Sequence, residues 1–207
     1  MGNRAVITTR EDWKCGGVGI YLHWNGGRDS VNAFLKYCEL KGYRPPEKDC
    51  YGWASLAKVI SNFFGGGNSV GIDTLWHLDC DNYDNGVYII EDWEIVDRAY
   101  FNGREQDEYD LNDMLMAIDT AQNETDRIGS EFFTAEVVSR DRLKIGDKVF
   151  VQQWDGTYEK ATVVGFGEDR VVNGTHVKDL PWVDLYKDLG EDNINSYLRE
   201  EAYRVCK

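Results

Sequence analysis

Residues 19–40 read GIYLHWNGGRDSVNAFLKYCEL and contain the change of periodicity that decides the fold class. Gly19 to Trp24 is rich in branched and aromatic residues, which predicts a β-strand. Asn25-Gly26-Gly27 is a strong turn signal, and Ser30 stands where a helix N-cap is expected. Apolar residues then recur at helical spacing, which predicts a helix from Val31 to Leu40. A strand that leads directly into a helix is typical of a protein that mixes α and β structure.

Two further helices are predicted from amphipathic spacing. Apolar residues recur every three or four positions from Trp53 to Phe64, and Gly65 ends that run. A second run of this kind extends from Leu111 to Gln122, and its other face is largely acidic. The sequence therefore predicts three helices in the first 126 residues.

Strands are expected around these helices. Ala5 to Thr8 is a short β-type run, and two longer runs extend from Val70 to Leu78 and from Val87 to Val96. Asp84-Asn85-Gly86, between the longer runs, has the chemistry of a hairpin turn. We therefore expect residues 1–126 to form an acidic α+β domain in which a small antiparallel sheet packs with helices.

The pattern of predicted elements changes in the last third of the chain. Residues 127–142 form a predicted connector, and short strands separated by turns follow from Leu143 to Lys207. The start of this region, Leu-Lys-Ile-Gly-Asp-Lys-Val, resembles that of SH3-like and Tudor-like barrels, and the resemblance covers about 45 residues. It implies a small β-barrel over residues 143–207, and the spacing of apolar residues predicts a terminal helix from Ile194 to Val205.

Charge is concentrated in one part of the chain. The net charge of the protein is −14, and residues 79–126 carry fifteen acidic side chains against two arginines, a net charge of −13. Such a field repels phosphate backbones and attracts basic surfaces, so the sequence predicts a basic partner and no direct nucleic-acid binding. The residues expected to contact that partner are Asp81, Asp84, Glu91, Asp92, Glu94, Asp107, Glu108, Asp110 and Asp113. The simpler interpretation is an acidic face that serves solubility alone.

A second candidate site lies at the strand-to-helix junction. His23, Trp24 and Asn25 precede the amino end of the predicted helix, and Arg28 stands beside them. Helix N–H groups and an arginine suit an anionic ligand such as a nucleotide, although a structural histidine beside a tight turn is the simpler interpretation. Tyr21-x-His23-Trp24-Asn25-Gly26 also resembles a Tyr-x-His-Trp-Asp-Gly signature of small phage proteins, with Asn25 in place of the acid. The resemblance implies a phage origin and no particular reaction.

Metal and cofactor sites are not expected. His77-x-x-Cys80 is half of a zinc pattern without a second close pair, and the calcium-loop spacing from Asp81 to Asp92 has Tyr83 at a ligand position. No local context activates any of the five cysteines as a nucleophile, so an enzyme is not favoured. The odd, scattered cysteines and the absence of a long apolar segment or a signal sequence indicate a cytoplasmic protein.

These observations favour a phage-encoded inhibitor whose acidic surface occupies the nucleic-acid-binding groove of a host defence nuclease. In kind this resembles anti-CRISPR and anti-restriction proteins that mimic DNA. The alternative is a small-ligand binding protein, or an enzyme, with a pocket around His23 that holds a nucleotide signal. A third possibility is that the barrel acts as an adaptor for a peptide.

Overall fold

The structure is a computed structural model that describes residues 2–66, 69–105, 108–153, 156–167, 170–172, 175–177, 182–187, 194–198 and 202–206. The chain divides into two compact units, Met1–Ser130 and Glu131–Lys207. In its described part the fold belongs to the α+β class, as the sequence predicts. It has two antiparallel-rich sheets and five α-helices.

A five-stranded sheet forms the centre of the first unit. Its strands are β1 (Ala5–Thr9), β2 (Val18–Leu22), β3 (Val70–Thr74), β4 (Val87–Glu91) and β5 (Glu94–Ala99), and their order in the sheet is β3-β2-β1-β4-β5. β1 and β4 pair in parallel, whereas every other neighbouring pair is antiparallel. The predicted antiparallel sheet is therefore present, with one parallel pair of strands at its centre. Its central strands β1 and β4 are buried almost throughout, because both faces of the sheet are covered.

The helices of this unit are α1 (Arg10–Cys15), α2 (Arg28–Leu40), α3 (Cys50–Phe63) and α4 (Leu111–Ala121). The three predicted helices are present, but α2 begins earlier than expected, and Gly27 rather than Ser30 is its N-cap. Ser30 is fully buried in the first turn, and its N–H donates to the Asp29 carboxylate. α1 escaped prediction because six residues are too few to show a periodicity.

The predicted hairpin between β3 and β4 is wrong. These strands lie at separate places in the sheet, and residues 75–86 cross from one to the other. Asn82 organises this crossing: its buried amide donates to the carbonyls of Asp79 and Gly86 and accepts from the N–H groups of Asp84 and Gly86. The turn residues therefore build a loop that is held by side-chain hydrogen bonds.

The hairpin of this region joins β4 to β5 instead. Its turn residues, Asp92 and Trp93, both have positive φ angles, of 47° and 66°. These angles are typical of a type I′ turn, which normally selects Asn-Gly. Trp93 takes this conformation because its indole is buried and its Nε1–H donates to the carbonyl of Tyr43 at 2.9 Å.

The core lies on both faces of the sheet. Fully buried residues of the unit include Ile7, Ile20, Phe34, Leu35, Leu56, Ile60, Ile90 and Ile118. A second cluster consists of Val6, Leu75, Val87 and Ile89, against which Trp13, Tyr21, Leu78, Cys80 and Ala99 pack. Since neighbouring residues of a strand point to opposite faces, Val6 and Ile7 place their side chains in separate parts of the core.

The second unit is built mainly of strands. Its elements are α5 (Ser130–Thr134), β6 (Glu136–Ser139), β7 (Lys148–Gln152), β8 (Tyr158–Gly167), β9 (Arg170–Val172), β10 (Thr175–Val177), β11 (Trp182–Lys187), β12 (Ile194–Leu198) and β13 (Ala202–Cys206). A six-stranded antiparallel sheet has the order β12-β11-β8-β7-β13-β6, and β9 and β10 pair as a separate two-stranded antiparallel sheet. A buried cluster contains Leu143, Val149, Val151, Ala161, Val163 and Tyr203.

The predicted terminal helix is also wrong, because β12 and β13 occupy residues 194–198 and 202–206. β12 pairs with β11, and β13 pairs with β6 and β7. Pairing with distant strands therefore overrides a local apolar spacing that fits a short helix. Residues 127–142, the predicted connector, contain α5, β6 and a single turn of 3-10 helix over Arg140–Arg142.

Candidate acidic surface and aromatic cleft

The nine acidic residues proposed for partner binding lie at two ends of the sheet. Asp81 and Asp84 precede β4, whereas Glu91, Asp92 and Glu94 surround the turn that follows it. A five-residue strand separates these groups by about 15 Å. Glu108, Asp110 and Asp113 lie at the amino end of α4, and Asp107 lies outside the described residues.

Three of these carboxylates are neutralised by basic side chains. Oδ2 of Asp84 accepts a hydrogen bond from Nε of Arg4 at 2.7 Å. Glu91 pairs with Arg10 at 3.3 Å, and Asp92 pairs with Lys48 at 3.5 Å. These three residues therefore contribute less negative potential than the sequence count suggests.

The amino ends of α2 and α4 are joined by another carboxylate. Oδ2 of Asp29, in the first turn of α2, accepts from the N–H groups of Glu108 at 2.7 Å and Tyr109 at 2.9 Å. Asp110 caps α4 by accepting from the N–H groups of Asn112 and Asp113. An open recess of about 520 Å³ lies between the two helix ends and is lined by Asp29, Asn32, Glu108, Tyr109, Asp110 and Leu111.

Arg98 links this region to the loop that precedes β4. Its Nε donates to the carbonyl of Asn85 at 2.7 Å, and its Nη1 donates to Glu105, which also pairs with Arg28. The guanidinium lies 3.6 Å from the ring centre of Tyr88 and 4.1 Å from that of Phe101. Burial lowers the pKa of Arg98. Arg98 thus ties Asn85, which precedes β4, to Glu105, which precedes α4.

We use the term acidic end for Asp81, Glu108, Asp110 and Asp113. All four side chains are exposed, and none of them forms an ion pair with a residue that the structure describes. Glu94 is also exposed and unpaired by the same criterion, but it lies at the opposite end of β4. Of the nine predicted residues, the structure therefore places three of these exposed carboxylates, Glu108, Asp110 and Asp113, at the amino end of α4, and a fourth, Asp81, in the loop that precedes β4.

Three residues of the second candidate site, His23, Trp24 and Asn25, lie on the loop before α2, and Arg28 is the first residue of that helix. Nδ1 of His23 is 3.3 Å from the hydroxyl of Tyr21. The imidazole ring of His23 packs edge-on against the half-exposed Trp24, with 4.9 Å between the ring centres. Asn25 has a φ of 52°, and Arg28 pairs with Glu105. Since Asp29 already places a carboxylate at the amino end of α2, the charge at that helix end does not favour an anion.

An aromatic cleft on the first unit was missed by the sequence analysis. It has a volume of about 250 Å³ and is lined by Trp13, Lys14, Leu75, Trp76, Cys80 and Tyr100, together with Gly16. The rings of Trp13 and Tyr100 meet edge to face at 6.0 Å. These aromatic residues come from three distant parts of the chain, so no local pattern could have grouped them.

The half zinc pattern does not form a metal site. Nδ1 of His77 lies 3.2 Å from Oδ1 of Asp73, while the thiol of Cys80 donates to the carbonyl of Leu75. Burial raises the pKa of the Cys80 thiol, which disfavours the thiolate that binds metal. Within the described ranges, no group of three or more potential ligands is close enough to hold a metal ion.

Among the helices that the structure describes, none is long and apolar enough to cross a membrane. No protein-family model, curated protein or solved structure matches the chain.

Proposed function

We propose that this protein is a phage-encoded inhibitor that binds the nucleic-acid-binding groove of a host defence nuclease, such as a Cas effector, through its acidic end. The observation that carries the proposal is the set of exposed carboxylates at the amino end of α4, Glu108, Asp110 and Asp113, none of which forms an ion pair with a described residue. A cationic groove that binds a phosphate backbone is electrostatically complementary to such a surface. The attraction between the two surfaces acts over distances up to the Debye length.

The form of the acidic end supports binding to a protein. The open recess between α2 and α4 places Tyr109 and Leu111, both partly exposed, beside carboxylates. An arginine or lysine side chain of a partner can pack its aliphatic stem on these apolar groups while its charge meets Glu108 or Asp110. The hydrogen bonds from Glu108 and Tyr109 to Asp29 hold this loop in place before a partner arrives.

The proposal includes a cytoplasmic location in the infected bacterium and an SH3-like barrel in the second unit. The antiparallel sheet from β7 to β13 supports such a barrel, as does the Leu143-to-Val149 region. There Gly146 has a φ of 97° and donates its N–H to the carbonyl of Val163. A barrel of this kind would add a second contact surface to the inhibitor.

The test compares two charge-reversal variants of equal net charge. D81K/E108K/D113K changes the acidic end and leaves the N-cap Asp110 in place. E11K/E94K/E124K reverses three exposed carboxylates that lie away from the acidic end. Cleavage of a target DNA by guide-loaded Cas effectors and by restriction endonucleases is measured against inhibitor concentration, at low and high salt.

We expect the wild-type protein and the E11K/E94K/E124K control to inhibit at least one nuclease, with an inhibition that weakens as salt increases. The D81K/E108K/D113K variant should lose that inhibition while keeping the circular dichroism spectrum and melting temperature of the folded protein. Equal loss in both variants would show that net charge rather than the acidic end is responsible. An absence of inhibition across the whole panel would refute the inhibitor function.

A further inference from the structure

The aromatic cleft contains a tryptophan that is held in place while most of its surface is exposed. Trp76 is 81% exposed, yet its indole lies against the backbone of Gly16. A Cβ atom at Gly16 would lie 2.2 Å from Nε1 of Trp76 and 2.5 Å from Cε2. Gly16 also ends α1 with a φ of 72°. Glycine at this position therefore allows the positive φ that ends the helix, and its missing Cβ leaves space for the indole ring to pack on the backbone.

The other side of the cleft is also built from aromatic rings. Tyr100 is 53% exposed and follows β5 with a φ of 55°, a left-handed conformation that costs free energy for a non-glycine residue. This conformation brings its ring edge-on to Trp13. Among the described residues, Trp76 makes no ring contact with either of them, so the cleft is open between its aromatic walls.

The polar groups of the cleft restrict the class of ligand. Lys14 is its only charged lining residue in the described part of the chain, and no carboxylate or amide side chain lines it. A methylated ammonium group would be repelled by Lys14, and a sugar would lack the carboxylate and amide partners that its hydroxyl groups need. A planar aromatic ring with an anionic substituent satisfies both the aromatic walls and the lysine.

We propose that the aromatic cleft binds a nucleoside monophosphate, whose base stacks on Trp76 and whose phosphate pairs with Lys14. The cleft has a volume of about 250 Å³, so it can enclose part of a single nucleotide. The net charge of −14 opposes the binding of a polynucleotide. None of the residues that line the cleft belongs to the acidic end, although Asp81 directly follows the lining residue Cys80 in the chain. The proposal does not depend on the proposed inhibitor function.

The experiment uses the full-length protein and isothermal titration calorimetry at low ionic strength. The probes are AMP, CMP, adenosine, ribose 5-phosphate and indole-3-acetate, each titrated up to 10 mM. Saturation-transfer NMR of AMP then shows which ligand protons contact the protein. The variants are W76A and K14Q in the cleft, and Y83A as a control, since Tyr83 is an equally exposed aromatic residue that does not line it.

We expect AMP to bind, with its base protons receiving the strongest saturation, and adenosine and ribose 5-phosphate to bind more weakly. W76A should weaken AMP binding by roughly 5- to 150-fold, the range for loss of one base–aromatic stack. K14Q should remove the preference for AMP over adenosine, and Y83A should leave binding unchanged. Indole-3-acetate, which has the ring and the negative charge but no ribose phosphate, should bind more weakly than AMP.

Two results would overturn the proposal. One is that no probe binds to the wild-type protein, a result that cannot be attributed to a variant that fails to fold. The other is AMP binding that W76A and K14Q leave unchanged while both variants keep the wild-type melting temperature. G16A supplies an independent check: the methyl group displaces the Trp76 indole without removing any lining side chain, so it should weaken AMP binding as W76A does.

Discussion

The hydroxyl of Tyr37 in α2 donates a hydrogen bond to Oδ1 of Asp119 in α4 at 2.8 Å, inside the core of the first unit. Asp119 is 3% exposed, and its carboxylate also accepts from the N–H groups of Ile128 at 2.6 Å and Gly129 at 3.0 Å. One of the fifteen acidic residues in the acidic segment, residues 79–126, is therefore a buried structural residue. It fixes α4 against α2 and holds the chain that follows α4 in place.

Removing one side of this hydrogen bond should destabilise the protein. We expect Y37F to lower the free energy of unfolding by about 1–2 kcal/mol, and D119A to lower it by about 3–4 kcal/mol because three donors lose their acceptor. Urea denaturation of the single and double variants measures the coupling between the two residues. Y51F is the control, since Tyr51 is exposed, and it should have the stability of the wild type. A stable D119A variant would contradict the structural role of Asp119.

The contacts of Asp119 also determine how far a stable fragment of the first unit must extend. A fragment of residues 1–130 keeps the Ile128 and Gly129 donors to Asp119, whereas a fragment of residues 1–126 loses them. The shorter fragment also loses Arg127, which donates to the carbonyls of Thr120 and Gln122 at the end of α4. We expect fragment 1–130 to unfold cooperatively and to be more stable than fragment 1–126 by about 2–4 kcal/mol. Equal melting curves for the two fragments would refute this boundary.

Asn82 should be essential to the loop that leads into β4. Its side chain makes four hydrogen bonds to the backbone while it is 1% exposed, so N82A leaves buried N–H and C=O groups without partners. We expect a loss of about 2–4 kcal/mol in the free energy of unfolding. The control is N112A, at an exposed position of α4, which should change stability by less than about 0.5 kcal/mol. Denaturant titration of both variants tests the difference.

Alkaline pH should destabilise the protein through its buried tyrosines. Burial, and then the negative charge of Asp126, raise the pKa of Tyr43 to about 12, from the ordinary tyrosine value of about 10. Between these values the unfolded chain releases a proton that the folded protein retains, so stability is complete below pH 10 and falls as pH rises to 12. The pKa values of Tyr37 and Tyr88 are raised in the same direction. Y43F should reduce the slope of unfolding free energy against pH in this window, and an unchanged slope would contradict the assignment.

The helices of the first unit were predictable because their signal is local. α2, α3 and α4 each bury one face, and the sequence shows that face as apolar residues at helical spacing. The connection between β3 and β4 was not predictable in this way. Asp84-Asn85-Gly86 has the composition of a hairpin turn, but turn composition does not encode which strands lie beside each other in a sheet.

The candidate sites show the same division. The acidic segment is visible in the sequence because its charges are consecutive along the chain, yet the pairing of Asp84 with Arg4 joins residues 80 positions apart. The aromatic cleft is lined by Trp13, Trp76 and Tyr100, which come from three distant parts of the chain, and none of them marks a site by its sequence context alone. Only the folded chain distinguishes free carboxylates from neutralised ones.

By itself, the sequence determined the α+β class, the three main helices and the concentration of negative charge, because periodicity and charge density are properties of neighbouring residues. The tertiary structure decided the strand order, the strands in place of a terminal helix, the burial of Asp119 and the separation of the acidic residues to two ends of β4. These features arise from contacts between residues far apart in the chain, whose free energies depend on burial and pairing that no local pattern records.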